Sequence, residues 1–216
     1  MSTSDNPRIF NPAQQIRANP SKTITQPSDI LYHDLEAGVR RLIMYALFAP
    51  EIPRVVRNSL VISISGRSTG GTKPAYAVYF APDSPFNSSG LLPDPDPGSA
   101  SDSTAGAACR RAEFYALSKA LGVVEERAGE TSRVVFITEA RAMVEGLAEQ
   151  VWEWEFNGYE DAEGKAVVNG EAFRELHARI GRLEGAGMDV SFWAVRRDEN
   201  VEADGLANAT FGSAAE

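Results

Sequence analysis

The sequence predicts an α/β fold in which a mixed, five-stranded sheet is flanked by helices. Three observations support this class. Two apolar, strand-like runs lie close together in the first half of the chain around a glycine-rich turn, which indicates a hairpin. In the second half, such runs alternate with stretches of helical periodicity, which favours strands joined by helices. A chain of 216 residues with 43% hydrophobic content is long enough for one domain with a buried core.

The N-terminal part is expected to lie outside this sheet. Residues 1–27 are polar with scattered prolines, so we predict a disordered tail. Residues 28–57 are predicted to form an N-terminal helix and a linker, because apolar side chains recur at helical spacing after Ser28 or Asp29 as N-cap. We expect the apolar stripe of this helix to dock on the domain, with homodimerisation through the same stripe as the alternative.

The main domain is predicted over residues 58–210, followed by a tail at 211–216. Its strands are predicted at 60–65, 75–80, near Leu91, 133–137 and 188–195. Its helices are predicted at 106–121, 140–156, 170–184 and 199–210. The stretch 81–105 is rich in Pro, Ser, Gly and Asp and is interpreted as an excursion around the short third strand.

Composition and charge argue against several functional classes of protein. The net charge of −9 argues against a strong electrostatic affinity for nucleic acid. No apolar run approaches the roughly 20 residues of a membrane span, and the first residues have no signal-peptide design. We therefore expect an intracellular protein of the nucleus or cytoplasm, not secreted and with no membrane partner. The lone cysteine, Cys109, suits a reducing compartment.

Three acidic residues stand where packing alone would not select them. Glu113 shares the apolar stripe of its predicted helix, where a carboxylate is costly unless a partner neutralises it. Glu139 directly follows a predicted strand, at the carboxyl end where open α/β sheets place their ligands. Asp204 lies one turn into the last predicted helix. Each residue taken singly fits a solvated surface acid, but their order and context favour one shared site.

Four segments resemble ribonuclease H of type 1, and especially the ribonuclease H-like proteins of filamentous fungi. The segments are "RRAEFYAL", "VVFITEARAMVEGL", "WEWEFNGYEDAEGKAVVNGEAFREL" and "SFWAVRRDENVEADGLANA". The match covers about residues 58–210 and implies the ribonuclease H fold. It also implies hydrolysis of the RNA strand of RNA–DNA hybrids with two Mg²⁺ or Mn²⁺ ions held by four carboxylates. Two adjacent dications repel each other, so several anionic ligands are needed to hold them.

The resemblance places Glu113 and Asp204 on two of these four carboxylate positions. Ser65 stands where the first-strand aspartate that bridges both ions is expected, and Glu139 replaces an aspartate. A serine hydroxyl supplies neither the charge nor the second oxygen, and Mg²⁺ tolerates displaced ligands poorly. We therefore predict a catalytically impaired relative with a weak or absent metal site, used for nucleic-acid binding or protein interaction. The alternative is an active, divalent-metal-dependent ribonuclease H in which Glu139 or a neighbouring acid compensates.

The residues predicted to contact nucleic acid flank the acidic positions. They are Arg110, Arg111, Arg197 and Asn200. If the arginines converge beside the site, they predict a weak affinity for an RNA–DNA hybrid. The stretch 145–165 argues against a strong one, because it carries seven acidic residues and a single lysine and would repel a polyanion.

Overall fold

The computed structural model describes residues 8–19, 21–46, 49–69, 73–93, 104–160 and 163–213. Its strands are β1 (Leu31–Asp34), β2 (Val39–Ala46), β3 (Ala49–Arg67), β4 (Ala75–Tyr79), β5 (Ser88–Leu91), β6 (Arg133–Thr138) and β7 (Asp189–Ala194). Its α-helices are α1 (Ala13–Ile16), α2 (Ala105–Glu126), α3 (Arg141–Glu145), α4 (Val151–Asn157), α5 (Gly170–Gly185) and α6 (Val201–Ser213). A π-helical turn at Gly146–Gln150 joins α3 to α4, and 3-10 turns cover Pro27–Ile30 and Arg197–Glu199.

The sheet is organised around the long strand β3. This strand pairs antiparallel with β2 and β4 along one edge and parallel with β6 along the other, while β7 continues parallel to β6. The predicted α/β class and mixed sheet are confirmed. Because β3 and β6 are adjacent and parallel, the residues at their carboxyl ends lie side by side at the same end of the sheet.

Alternation along β3 divides the core between the two faces of the sheet. Leu60, Ile62 and Ile64 belong to the larger apolar cluster, which includes buried side chains of α2 and α5. Val61 belongs to a smaller cluster with apolar residues of β1, β2 and β6. This is the period of two that a strand buried on both faces requires. The helix α6 contacts β3, β4 and β5.

The helix predicted within residues 28–57 is wrong. The chain forms a hairpin instead, in which β1 and β2 pair antiparallel with Leu31 opposite Leu42. Gly38 closes the turn with a φ of 65°, a left-handed conformation that glycine adopts readily. Leu35 is one of the apolar residues whose helical spacing predicted a buried stripe, but it is 69% exposed at the turn. Because this helix does not form, the predicted docking or dimerisation through its apolar stripe does not apply. The hairpin instead adds two strands to the predicted five-stranded sheet, which has seven strands.

The predicted disordered tail is wrong for residues 8–19. Arg8 is fully buried, and its guanidinium donates hydrogen bonds to both carboxylate oxygens of Glu184, at 2.8 and 2.7 Å. Ile9 forms a parallel bridge with Phe192 of β7. The polar composition of the tail concealed one buried ion pair that fixes it. Residues 1–7, 94–103 of the predicted excursion and 214–216 of the predicted C-terminal tail lie outside the described residues.

None of the helices in the described ranges combines the length and the apolar character that a membrane crossing requires.

Candidate active site

The sequence-predicted acidic residues lie around the carboxyl ends of β3 and β6. Ser65 is near the end of β3, and Glu139 immediately follows β6. Glu113 comes from α2, and Asp204 comes from the first turn of α6. Four separate elements thus supply the side chains, as the resemblance implied.

Glu139 is held by two neutral side chains. The buried hydroxyl of Ser65 donates to Oε1 of Glu139 at 2.9 Å. The amide of Asn200, also buried, donates both to Oε2 of Glu139 and to the carbonyl of Ile64, the latter at 3.0 Å. Asn200, a predicted nucleic-acid contact, therefore fixes a carboxylate of the site and links the start of α6 to β3. Ser65 acts here as a hydrogen-bond donor to an acid.

Glu113 reaches the site because α2 passes unusually close to β3. A Cβ on Gly66 would lie 2.5 Å from the backbone nitrogen of Glu113 and 2.7 Å from the carbonyl oxygen of Cys109. Burial raises the pKa of Glu113 to about 7, the charge of Glu139 adds to the rise, and Arg110, Arg67 and Arg197 oppose it. Near neutral pH, with no cation bound, the carboxyl of Glu113 is thus protonated in a large fraction of molecules.

Asp204 is paired with an arginine that the sequence analysis did not single out. The guanidinium of Arg67 contacts the carboxylate of Asp204 as an ion pair. Ser65 and Arg67 are two residues apart on β3 and share one face of the strand. The spacing of two could have indicated that Arg67 lies beside Ser65 at the site. The glycine-rich sequence around Arg67 was instead interpreted as a turn.

The residues present do not fit a two-metal centre. Within the described ranges, no group of three or more His, Cys, Asp or Glu side chains is arranged to hold a metal ion. Magnesium pairs require several ionised carboxylates that converge in near-ideal geometry. Here Ser65 offers a hydroxyl in place of a carboxylate, and Asp204 is bound to Arg67.

The predicted nucleic-acid arginines are divided. Arg110 lines, together with Glu113, a cavity of about 410 Å³. Arg197 is exposed at the start of the turn that leads to Asn200, and its charge acts on both Arg67 and Glu113. Arg111 lines a different hollow, together with Leu92 and Tyr115 among others. Two of the three predicted arginines therefore flank the acidic residues, joined by Arg67.

Trp154, which lines the cavity shared by Arg110 and Glu113, and the nearby Trp152 have different environments. Trp154 is partly buried and packs against Phe173 with a ring-centroid distance of 4.9 Å. Trp152 is half-exposed and lies against the guanidinium of Arg8, 4.4 Å from the ring centroid. As their spacing of two on a helix predicts, the rings occupy different faces.

Comparison with known proteins finds sequence similarity to ribonuclease H1 from two species. No family model matches the chain. Ribonuclease H1 of Mus musculus is 30% identical over 147 residues, which cover 65% of this chain and 45% of the mouse protein. Ribonuclease H1 of Rattus norvegicus is 29% identical over 170 residues, which cover 75% and 53% of the two chains. The chain thus spans about half the length of these relatives.

Among solved structures, a ribonuclease H1 isolated from compost by a metagenomic approach, LC11, shares the fold. The two structures align with a TM-score of 0.50 and 16% identity, over 74% of this chain and 99% of the other. The aligned region contains a complete ribonuclease H1 chain, so the whole fold is present here. The chain is therefore similar in sequence to these ribonucleases H1 over about half of their length, and it has the ribonuclease H fold.

Proposed function

We propose that the protein is a catalytically impaired relative of RNA–DNA hybrid ribonucleases that binds nucleic acid, with an RNA–DNA hybrid as its first candidate ligand. The proposal is supported chiefly by Ser65, which is buried and whose hydroxyl donates a hydrogen bond to the carboxylate of Glu139 at 2.9 Å. The position expected to bridge two metal ions therefore supplies no charge. An intracellular location, in the nucleus or cytoplasm, is part of the same proposal.

The remaining groups support binding better than hydrolysis. Metal-assisted hydrolysis needs ions that activate water and stabilise the leaving oxygen. Asp204, which the resemblance assigns to metal, is neutralised by Arg67 instead. Arg110 and Arg197 contribute positive charge beside the site, and positive charge is what attracts a nucleic-acid backbone.

An active ribonuclease with Mg²⁺ or Mn²⁺ as cofactor is the second candidate. It is favoured by the retention of three carboxylates, Glu113, Glu139 and Asp204, around the ends of β3 and β6. On this alternative, ions would displace Arg67 from Asp204 and draw the carboxylates together. The metal would supply the nucleophilic water and charge stabilisation.

Cleavage of a labelled RNA–DNA hybrid, with Mg²⁺ and separately with Mn²⁺, tests the proposal. The parent protein is expected to cut no faster than Glu113→Gln, which serves as the blank. Metal-dependent cleavage by the parent that disappears in Glu113→Gln would establish the enzyme instead.

A further inference from the structure

We infer that Arg67 takes the place of the divalent cations, so that this site binds the phosphate backbone of an RNA–DNA hybrid without metal. The inference rests on the proposed function and specifies how the same site holds its ligand. It concerns a residue outside the set that the resemblance brought to the site.

The charges of the site are balanced by the chain itself. Its three carboxyl groups, of which Glu113 is partly protonated near pH 7, carry no more negative charge than three guanidinium groups can balance; the residues are Glu113, Glu139, Asp204, Arg67, Arg110 and Arg197. Four converging carboxylates without metal would repel a phosphate strongly, since each pair of charges interacts over a few ångströms. A site with balanced charges imposes no such barrier. A phosphate can therefore approach it without a metal bridge.

The geometry of Arg67 suits this role. Its side chain is on the same face of β3 as Ser65 and contacts Asp204. The residue is only 9% exposed, and its Nε is buried without a hydrogen-bond partner. A guanidinium has five N–H donors in a planar fork that matches the oxygens of a phosphate. The contact with Asp204 is made by a terminal nitrogen of Arg67, so a phosphate would share or replace that contact.

A second guanidinium strengthens the site for an anion. The guanidinium of Arg197 lies close enough to Arg67 for their charges to interact. The two positive groups thus repel each other, and an anion between them would relieve that repulsion. Because Arg197 is exposed, it marks the side from which a backbone would approach.

Fluorescence anisotropy with a labelled hybrid in EDTA tests the inference. The parent is expected to bind equally well when Mg²⁺ replaces EDTA. Arg67→Gln should weaken binding by about tenfold or more, as loss of a charge-assisted hydrogen bond to phosphate does, and should lower the salt slope by roughly 1. Arg67→Lys, which keeps the charge, should retain part of the affinity, and a thermal melt of each variant checks its folding.

Two further variants separate a direct role of Arg67 from a general change of charge. Arg133→Gln is the matched control, because Arg133 begins β6 at the opposite end of the sheet and forms an exposed ion pair with Asp189. It should bind like the parent. Asp204→Asn should bind the hybrid more tightly in EDTA, because it frees the guanidinium of Arg67 from its internal partner.

Three outcomes would overturn the inference: binding that appears only with Mg²⁺, an Arg67→Gln variant that binds like Arg133→Gln, or weaker binding by Asp204→Asn. A parent that binds no hybrid would overturn it as well. Failure of the proposed function has a different signature, which is metal-dependent cleavage by the parent. The binding and cleavage assays therefore report on the two claims separately.

Discussion

Ser65 and Arg67 change the charge of the site in the same direction. Ser65 removes a negative charge from the position where the resemblance expects an aspartate, and Arg67 adds a positive one on the same face of β3. Asn200 and Ser65 then hold Glu139 through neutral hydrogen bonds. Glu139 is therefore held by neutral donors, whereas four free carboxylates without an ion would repel one another.

Among the single residues of the site, Glu113 gives a pH-dependent test of its burial. Its pKa is raised from 4.5 to about 7, chiefly by burial. Between these values the folded protein keeps a proton that the unfolded chain has lost, so this contribution to stability is complete below pH 4.5 and is lost as the pH rises through 7. Glu113→Gln removes the ionisation. The variant should gain stability relative to the parent by roughly 1–3 kcal/mol between pH 5 and pH 8.

Urea denaturation of both proteins in EDTA across this pH range measures that difference. If the free energies of unfolding of parent and variant changed with pH in the same way, Glu113 would not be buried as described.

The positions of the site residues could be predicted from the sequence, but their partners could not. Glu139 follows a strand of clear apolar alternation, and Glu113 lies on an apolar helical stripe, so periodicity located both. The ion pair of Arg67 with Asp204 joins residues 137 positions apart in the chain. No local pattern contains such a pairing, since it depends on how α6 packs against β3.

At the scale of elements, the close approach of β3 and α2 positions Glu113. Gly66 permits this approach, because a Cβ there would lie 2.5–2.7 Å from backbone atoms of α2. Backbone atoms cannot move aside as a flexible side chain can. The strand and the helix would have to separate to admit even a methyl group.

Gly66→Ala should therefore destabilise the fold by roughly 1–3 kcal/mol, as overpacking of a close contact does. Gly181→Ala in α5 is the matched control, since a Cβ there meets no atom within 4 Å and alanine favours the helix by up to about 1 kcal/mol. Chemical denaturation compares the two variants. Similar effects on unfolding would contradict the close approach.

The hairpin of β1 and β2 shows why periodicity misled the sequence analysis at this scale. Its apolar residues fit helical spacing as well as strand alternation, and the strand is stabilised by a contact far along the chain. Arg40 is buried in β2, and its guanidinium donates to the carbonyls of Phe80 and Tyr79 and to the hydroxyl of Ser63. The available local signal was Gly38, which is costly inside a helix and favourable in a turn.

At the scale of the whole molecule, Arg8 fastens the N-terminal segment to the domain. Besides its ion pair with Glu184, its guanidinium donates to the carbonyl of Leu147 in the π-helical turn, at 2.8 Å. It also lies 2.9 Å from Nδ1 of His177. This anchor could not be predicted from the sequence, because one buried arginine among polar residues leaves no periodic pattern.

Arg8→Ala should cost about 3–5 kcal/mol, since it leaves part of a buried charge network unpaired. Arg133→Ala, which breaks an exposed pair with Asp189, should cost less than about 1 kcal/mol. Thermal or chemical unfolding ranks the two variants. An Arg8→Ala variant as stable as Arg133→Ala would mean that the N-terminal segment contributes nothing to the domain.

Altered charges on a ribonuclease H scaffold are proposed to prevent metal-dependent hydrolysis by this protein. Cleavage of a labelled RNA–DNA hybrid in Mg²⁺ by the parent, by Ser65→Asp with Glu139→Asp, and by the same pair with Arg67→Ala tests it most directly. The triple variant should cut, faster than the parent by orders of magnitude, because metal catalysis supplies several kcal/mol. The double variant should remain slower than the triple, because Arg67 still neutralises Asp204. A parent that already cuts as fast as the triple variant would contradict the claim.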